Sequence, residues 1–213
     1  MKLLFKYTSR SRPVNFLRGY MSIIENLLDT ENYHILVSLD EDDDSMKHIK
    51  DLPGNHTIIR GVSKSKIDAI NRDVNEFEYD WDILVNMSDD MMFHVKGFDN
   101  IIRSYFRVTT DSSLLFYDGN RADIITMSIL GRKYYDRDKY IYHPSYKSVY
   151  CDNEATEVAD LRGCLIRCDE HIFTHLHPAY GKGHMDEQYI HTESFYREDS
   201  DTYFRRKQIG FGL

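Results

Sequence analysis

Apolar and polar positions in the first half of the chain alternate in a way that predicts a repeated strand–helix pattern. Short apolar runs at residues 3–7, 33–39, 57–60 and 83–85 are typical of buried strands. Between the first two runs, apolar residues recur at helical spacing over residues 16–28, which predicts an amphipathic helix. A strand, a helix and a strand joined by short links form a right-handed unit with parallel strands. The pattern therefore predicts an α/β fold.

The second half of the chain continues this pattern with shorter segments. A helix is predicted to begin near Gly97, and apolar runs at residues 114–117 and 124–131 predict two further strands. Residues 151–160 have the composition of a helix start, with Asp152 or Asn153 as the cap. The chain has no internal repeat, low-complexity tract or linker, so we expect a single structural domain.

The overall composition is that of an ordinary globular protein, with 41% hydrophobic and 29% charged residues in 213 positions. The formal net charge of −8 opposes binding to nucleic acid. Three cysteines are too few for a disulfide scaffold and fit a reducing compartment. The N-terminal apolar run is too short for a signal peptide, and no run approaches the roughly 20 residues of a membrane span. We therefore expect a cytoplasmic protein without a transmembrane segment.

Polar residues follow each predicted strand of the first half, at the edge where open α/β sheets bind ligands. Neighbouring carboxylates at such an edge suit a hard divalent cation that also binds phosphate oxygens. Residues 88–90 alone fit an acidic turn equally well, because aspartate is common in turns. Four polar strand ends on one edge favour a ligand site instead. Its candidate residues are Thr8, Ser9 and Arg10 after the first strand, Asp40 after the second, Lys66 and Asn71 in the helix after the third, and Asp89 and Asp90 after the fourth.

The order of these elements and four local motifs resemble the glycosyltransferases of the GT-A fold, close to family 2 of inverting enzymes. Residues 8–10 match a loop rich in Thr and Ser after the first strand, and Asp40 matches an acidic residue that contacts the nucleotide base. Residues 66–71 match a helix that packs beside the nucleotide. Residues 88–90 occupy the place of the metal-binding Asp-x-Asp motif. Serine replaces its first acid, and Asp90 matches the second, which normally binds the metal directly.

This resemblance implies a mostly parallel, Rossmann-like central sheet flanked by helices. It also implies transfer of a hexose from a nucleotide-diphosphate sugar, which we expect to be a UDP-sugar, to a hydroxyl acceptor with inversion. The acceptor would be a saccharide, a lipid-linked sugar or another hydroxyl compound, and the metal would be Mn²⁺ or Mg²⁺. We expect residues 1–95 to form the nucleotide-binding half and residues 96–213 the acceptor-binding, catalytic half with a C-terminal extension. The nucleotide would contact Thr8, Ser9, Arg10, Asp40, Lys66, Asn71 and Asp89.

The resemblance also implies a catalytic base at the start of the helix after the sixth strand. Asp152 and Glu154 are the candidates there, and we favour Glu154. Helix capping explains one acid at this point, but it leaves Asp152, Glu154 and Glu157 together without an explanation. A carboxylate in this place would remove the proton from the attacking hydroxyl group.

A histidine late in the chain often completes the metal site in the resembled enzymes. We favour His177, at the end of a predicted strand, and His184 on a glycine-rich loop is the rival. Alternation along the strand would point His175 to the same side as His177. The spacing of Cys164 and Cys168 from these histidines also imitates a zinc site. The apolar residues between them favour core strands, in which cysteine acts as a small hydrophobic residue.

Two alternative functions keep the same fold. Nucleotidyltransferases share the architecture, but they carry a glycine-rich loop after the first strand, and glycine is missing from residues 8–13. A non-catalytic relative that binds a sugar or a partner is the second alternative, and Ser88 in the metal motif supports it. The absence of any P-loop or G-x-G-x-x-G motif speaks against other nucleotide-binding folds.

Overall fold

The computed structural model covers residues 1–213 and contains a central sheet of seven strands, a separate two-stranded sheet and seven α-helices. The strands are β1 (Leu3–Thr8), β2 (Tyr33–Asp40), β3 (His56–Gly61), β4 (Ile83–Met87), β5 (Met91–Phe93), β6 (Ser113–Leu115), β7 (Ile129–Gly131), β8 (Leu165–Arg167) and β9 (Phe173–His175). The helices are α1 (Pro13–Asn26), α2 (Lys66–Asn71), α3 (Phe98–Tyr105), α4 (Arg132–Asp138), α5 (Cys151–Leu161), α6 (Glu187–Glu193) and α7 (Tyr196–Gln208).

The seven strands of the central sheet lie in the order β3–β2–β1–β4–β7–β6–β8. Strands β1 to β4 are mutually parallel, so their carboxyl ends meet at one edge of the sheet. Strand β7 runs antiparallel to both of its neighbours, whereas β8 is parallel to β6. The arrangement confirms the mostly parallel sheet flanked by helices that the sequence predicts.

Two hydrophobic cores cover the two faces of the sheet, because successive side chains of a strand point to opposite faces. Phe5 of β1 packs with apolar residues of α1 and α3, whereas Leu4 packs with residues of α2, α4 and α5. Lys6 interrupts the apolar pattern of β1 although it is as fully buried as its neighbours. Its ammonium group bonds to the hydroxyl of Ser38 on β2, close to the carboxyl edge of the sheet.

Helix α7 packs against α5 and fixes the loop of residues 147–149, which precedes α5. The carboxylate of Asp199 on α7 accepts hydrogen bonds from the backbone N–H groups of Lys147, Ser148 and Val149, each at 2.8 Å. The C-terminal helices therefore belong to the same folded unit as the sheet. None of the helices is both long enough and apolar enough to cross a membrane.

The prediction of a strand over residues 124–131 is wrong in its first part. Strand β7 covers only Ile129–Gly131, and one further bond to β4 runs from the N–H of Asn86 to the carbonyl of Ser128 at 2.8 Å. The backbone before Ser128 bonds elsewhere. The N–H of Ile125, for example, donates to the side-chain oxygen of Thr156 on α5 at 2.9 Å. The expected helix cap also differs, because α5 begins at Cys151 after Tyr150 and no side chain caps it. Asp152 therefore lies inside the first turn of α5.

Candidate active site

A cavity of about 410 Å³ opens at the carboxyl edge of β1, β2 and β4. It is also bordered by the start of α5 and by residues of α6. Nine of the residues predicted from the sequence line this cavity, namely Thr8, Ser9, Arg10, Asp40, Lys66, Asp89, Asp90, Asp152 and His177. Three others, Asn71, Glu154 and His184, do not line it. The four polar strand ends thus contribute to one common site, as the topology requires.

Several polar atoms in the wall of the cavity are buried and have no partner within the protein. They include a carboxylate oxygen of Asp40, a carboxylate oxygen of Asp90 and the hydroxyl groups of Ser63 and Ser148. Buried polar groups in native proteins are almost always hydrogen-bonded. Their free atoms are therefore available to hydrogen-bond a polar ligand or water in the cavity.

The β2 end of the cavity is organised around Asp40. Arg10, on the loop after β1, donates to Asp40 at 2.8 Å and to Asp42 at 2.7 Å. The hydrogen bonds that Arg10 donates to Asp42 and Asp40 raise its pKa. Arg72 approaches the other oxygen of Asp40 to 3.8 Å, so two cations flank this largely buried carboxylate. The pair Arg10–Asp40 supplies both a donor and an acceptor at this end of the cavity.

Asp89, in the middle of the metal motif, is bound by the loop after β1. The hydroxyl of Ser9 donates to its carboxylate at 2.6 Å, and Arg12 donates to it at 3.2 Å. Burial, and then the charge of Asp90, raise the pKa of Asp89 to about 6. Arg12 also binds Asp186 just before α6, at 2.7 Å. Arg12 was not among the predicted site residues, although it is the second arginine in the loop after β1.

Asp90 contacts a histidine other than the two that the sequence analysis favoured. His175, the last residue of β9, approaches Asp90 to 3.3 Å through Nε2, and its Nδ1 lies 3.4 Å from Asp118. Burial lowers the pKa of His175, but the two carboxylates outweigh it and raise the pKa to about 9. Burial likewise opposes ionisation of Asp90, and the hydrogen bond and charge of His175 nevertheless lower its pKa well below the usual range.

Neither of the two histidines predicted as metal ligands, His177 and His184, forms a hydrogen bond with Asp90. The strand ends at His175, so His177 already begins the next turn and accepts a hydrogen bond from the N–H of Ala179 at 3.2 Å. Its Nε2 is engaged with the hydroxyl of Tyr189 at 2.7 Å. His184 is exposed and outside the cavity. The predicted strand alternation placed His175 and His177 on the same side, so the sequence could also have indicated His175 as the metal ligand.

The cysteines near these histidines do not join them. The Sγ atom of Cys164 lies 4.0 Å from Asp111, and that of Cys168 lies 3.8 Å from the carbonyl oxygen of Ile166. No three His, Cys, Asp or Glu side chains anywhere in the structure are arranged to hold a metal by themselves. The protein alone thus presents no zinc-type cage.

The two candidate bases, Asp152 and Glu154, lie on different sides of the first turn of α5. Asp152 lines the cavity, and burial raises its pKa. Glu154 is buried on another side of the helix, where Arg206 donates to it at 2.7 and 2.8 Å and the hydroxyl of Tyr146 donates at 2.8 Å. Residues two apart in a helix point in nearly opposite directions, since each residue turns the helix by about 100°. The expectation of Glu154 as the base therefore does not fit its position.

Lys66 and Asn71, at the two ends of α2, have different surroundings. Lys66 lines the cavity. Its positive charge adds to the effect of His175 in lowering the pKa of Asp90, and it partly offsets the rise that burial causes in the pKa of Asp152. Asn71 lies outside the cavity, where its side chain donates to the carbonyl of Tyr142 at 2.7 Å and accepts from the N–H of Ile141 at 2.9 Å. Asn71 thus fixes the segment that carries Tyr142, which itself lines the cavity.

A divalent cation fits the Asp90 end of this cavity. One oxygen of Asp90 is buried and unpartnered, the carboxylate is ionised, and an imidazole nitrogen adjoins it. Carboxylate and imidazole groups are ligands that Mn²⁺ accepts, and Mg²⁺ commonly takes one or two carboxylates plus phosphate oxygens. Asp90 and His175 would therefore supply two ligands and leave the other positions to a substrate and water. Metal binding would displace the proton that a pKa of about 9 keeps on His175 at neutral pH.

No family model and no curated protein matches this sequence. Solved structures do match the fold at low identity. A structure of TarS from S. aureus in complex with UDP-GlcNAc has a TM-score of 0.63 at 13% identity and covers 82% of this chain. A mannosyltransferase from Pyrobaculum calidifontis in complex with GDP-Man and Mn²⁺ has a TM-score of 0.61 at 10% identity and covers 91%. Drosophila β-1,4-galactosyltransferase 7 with manganese, UDP-Gal and xylobiose has a TM-score of 0.54 at 13% identity and covers 90%.

The matched enzymes are longer than this chain. The chain spans 36% of the longer TarS structure, 58% of its shorter form with UDP-GlcNAc, 69% of the mannosyltransferase and 79% of the galactosyltransferase. The match covers at least 82% of the residues of this chain in each case. The chain therefore has the fold of the GT-A glycosyltransferases, as the sequence predicted.

Proposed function

We propose that this protein is a metal-dependent glycosyltransferase that moves a sugar from a nucleotide-diphosphate sugar to a hydroxyl acceptor with inversion. The observation that carries the proposal is the convergence of Asp90 and Asp152 on one cavity, from the end of β4 and the start of α5. One carboxylate adjoins a histidine and the other faces the cavity with a raised pKa. These are the two acidic functions that sugar transfer with inversion needs.

The nucleotide would lie along the carboxyl edge of the sheet. Arg10 and Asp40 would bind the base and ribose above β2, while Thr8, Ser9 and Lys66 would face the diphosphate nearer to β4. Lys66 suits this role because it is a cation in the cavity wall. The neighbours with UDP-GlcNAc and UDP-Gal support a UDP-sugar donor carrying a hexose. We also propose the division at residue 95 into nucleotide-binding and acceptor-binding halves, which this placement supports.

Asp90 and His175 would hold the metal ion, with His175 in the place that the sequence analysis gave to His177 or His184. A bound Mn²⁺ or Mg²⁺ supplies Lewis acidity that offsets the negative charge developing on the leaving diphosphate. Neighbours crystallised with manganese support this choice of metal. Ser88 takes the place of the first acid of the usual motif, so His175 would provide the second protein ligand.

Asp152 would act as the general base. The acceptor oxygen attacks the anomeric carbon, the bond from that carbon to the diphosphate oxygen breaks, and the carboxylate of Asp152 takes the hydroxyl proton. Burial raises the pKa of Asp152 and so makes its carboxylate a stronger base. Single displacement from the side opposite the leaving group inverts the anomeric configuration. Lys147 and Ser148, on the loop held by Asp199, line the same cavity and would lie beside the acceptor.

Calorimetric titration with UDP, in the presence and absence of Mn²⁺, tests the proposal. We expect UDP binding that requires Mn²⁺ and is lost in Asp90→Ala, because the carboxylate is the principal protein ligand. Asp44→Ala removes an exposed carboxylate outside the cavity and should bind UDP like the wild-type protein. A panel of UDP-sugars and GDP-mannose, followed by detection of the released nucleoside diphosphate, would then identify the donor. Metal-independent UDP binding that Asp90→Ala leaves unchanged would contradict the proposal.

The two alternatives make different predictions in the same assays. A nucleotidyltransferase would consume a nucleoside triphosphate and a sugar phosphate, but the loop of residues 8–13 lacks the glycines that such enzymes use. A non-catalytic relative would bind a UDP-sugar without ever releasing UDP. Slow hydrolysis of the donor in the absence of an acceptor would exclude that second alternative.

A further inference from the structure

We infer that the loop of residues 118–121 is a positioning device for the metal site, in which Asp118 orients His175 so that Nε2 faces Asp90. The inference rests on the proposed function, because it assigns a role toward the metal that Asp90 and His175 would hold. It adds two residues, Asp118 and Asn120, that do not line the cavity.

Three separate contacts join this loop to His175. The backbone N–H of His175 donates to the carbonyl oxygen of Asp118 at 2.8 Å, and the side-chain amide of Asn120 donates to the carbonyl oxygen of His175 at 2.8 Å. The third contact is made by the imidazole, whose Nδ1 lies 3.4 Å from the carboxylate of Asp118. Both the backbone and the ring of His175 are therefore fixed from the same side.

The carboxylate of Asp118 is almost completely buried, and its two oxygens have different partners. Its Oδ1 accepts the N–H groups of Asn120 and Arg121 at 2.7 and 2.6 Å, which is an ordinary turn arrangement. Its Oδ2 faces the imidazole. The turn explains the first oxygen and leaves the second free to act on His175. Burying this charge is costly unless it is fully paired, so the contact with Nδ1 helps to satisfy it.

A carboxylate on Nδ1 has a defined effect on a metal-binding histidine. It keeps the proton on Nδ1, leaves the lone pair of Nε2 for the metal, and holds the plane of the ring. Asp90, His175 and Asp118 form a row in which the imidazole lies between the carboxylates, so Asp118 acts through the ring. Asp118 is therefore a positioning residue for His175 and not a ligand.

Asp118→Asn is the most informative variant, because the amide keeps the shape and size of the carboxylate. Its oxygen can still accept the two N–H groups of the turn, but its NH₂ group cannot accept a proton from Nδ1. We expect the affinity for Mn²⁺ in the presence of UDP, measured by EPR titration, to fall by about 10- to 100-fold. Three-pulse ESEEM of the bound Mn²⁺ should show ¹⁴N coupling from His175 in the wild-type protein and a weakened or lost coupling in the variant.

Two further variants keep the test decisive. Asp169→Asn removes an exposed carboxylate outside this loop and should leave Mn²⁺ affinity and ¹⁴N coupling unchanged. Asn120→Ala keeps the carboxylate but removes the hydrogen bond to the backbone of His175, and should lower Mn²⁺ affinity even if Asp118→Asn does not fold. Wild-type affinity and coupling in folded Asp118→Asn, or in Asn120→Ala, would overturn the inference while leaving the proposed function intact. A wild-type protein that binds UDP and Mn²⁺ without any ¹⁴N coupling would overturn it as well.

Discussion

The two sides of the first turn of α5 carry the same chemical group in opposite situations. Asp152 faces the cavity, is partly buried and has no arginine or lysine bound to it. Glu154 faces the interior, where Arg206 and Tyr146 together give its carboxylate three hydrogen bonds. The comparison shows that a fully paired buried carboxylate is a structural element, whereas an incompletely paired one beside a cavity is available for chemistry.

The same distinction applies to the consecutive residues Asp89 and Asp90. Asp89 receives hydrogen bonds from Ser9 and Arg12, and these contacts attach the loop after β1 to the end of β4. Asp90 adjoins His175 and retains a buried oxygen with no partner. Asp89 and Asp90 both line the cavity, but only Asp90 keeps an unsatisfied oxygen there, as Asp152 keeps an unpaired charge.

The largest effect should come from Asp152→Asn. The amide cannot take a proton, so we expect turnover to fall by about 10²- to 10⁴-fold in an assay of UDP release with an active donor and acceptor. UDP affinity and thermal stability should remain near the wild-type values, because no hydrogen bond to another side chain is lost. Turnover that survives the substitution would show that another group accepts the proton.

Glu154→Gln should act on stability instead of chemistry. Removing one partner of a buried ion pair leaves Arg206 uncompensated, and we expect a loss of about 3 kcal/mol in the free energy of unfolding, measured by urea denaturation. UDP binding by the folded protein should be unchanged. Glu157→Gln is the matched control, since Glu157 pairs with exposed Lys207 at 2.8 Å and such surface pairs contribute little. A large loss of turnover in Glu154→Gln without a loss of stability would reverse the assignment of the two acids.

Lys6→Met extends the comparison to a buried cation whose nearest carboxylate, Asp73, is 3.9 Å away. Burial lowers the pKa of Lys6 from 10.5 to about 7. Between these pH values the unfolded chain binds a proton that the folded chain has released, so this lysine makes stability rise with pH. The free energy of unfolding of the wild-type protein, relative to that of Lys6→Met, should therefore increase by up to about 1.4 kcal/mol per pH unit between pH 7.5 and 9. Parallel stability curves, measured by urea denaturation, would contradict the shift.

Much of the fold follows from local pattern in the sequence. The four apolar runs of the first half became β1 to β4, since a buried parallel strand needs little more than such a run between polar ends. Residues 124–128 show where this reasoning stops. Their apolar content resembles a strand, but the N–H of Ile125 bonds to Thr156, which lies 31 positions later in the chain. Sequence pattern cannot indicate such a distant partner.

The site divides in the same way between sequence and tertiary structure. The sequence by itself determined that Arg10, Asp40, Asp89 and Asp90 meet at one edge, because parallel strands bring their carboxyl ends together. Only the tertiary structure decided that Asp152 faces the cavity and Glu154 faces Arg206, and that His175 is the histidine beside Asp90. The physical reason is that strand order is a property of the backbone, whereas the role of a charged side chain depends on which distant groups surround it.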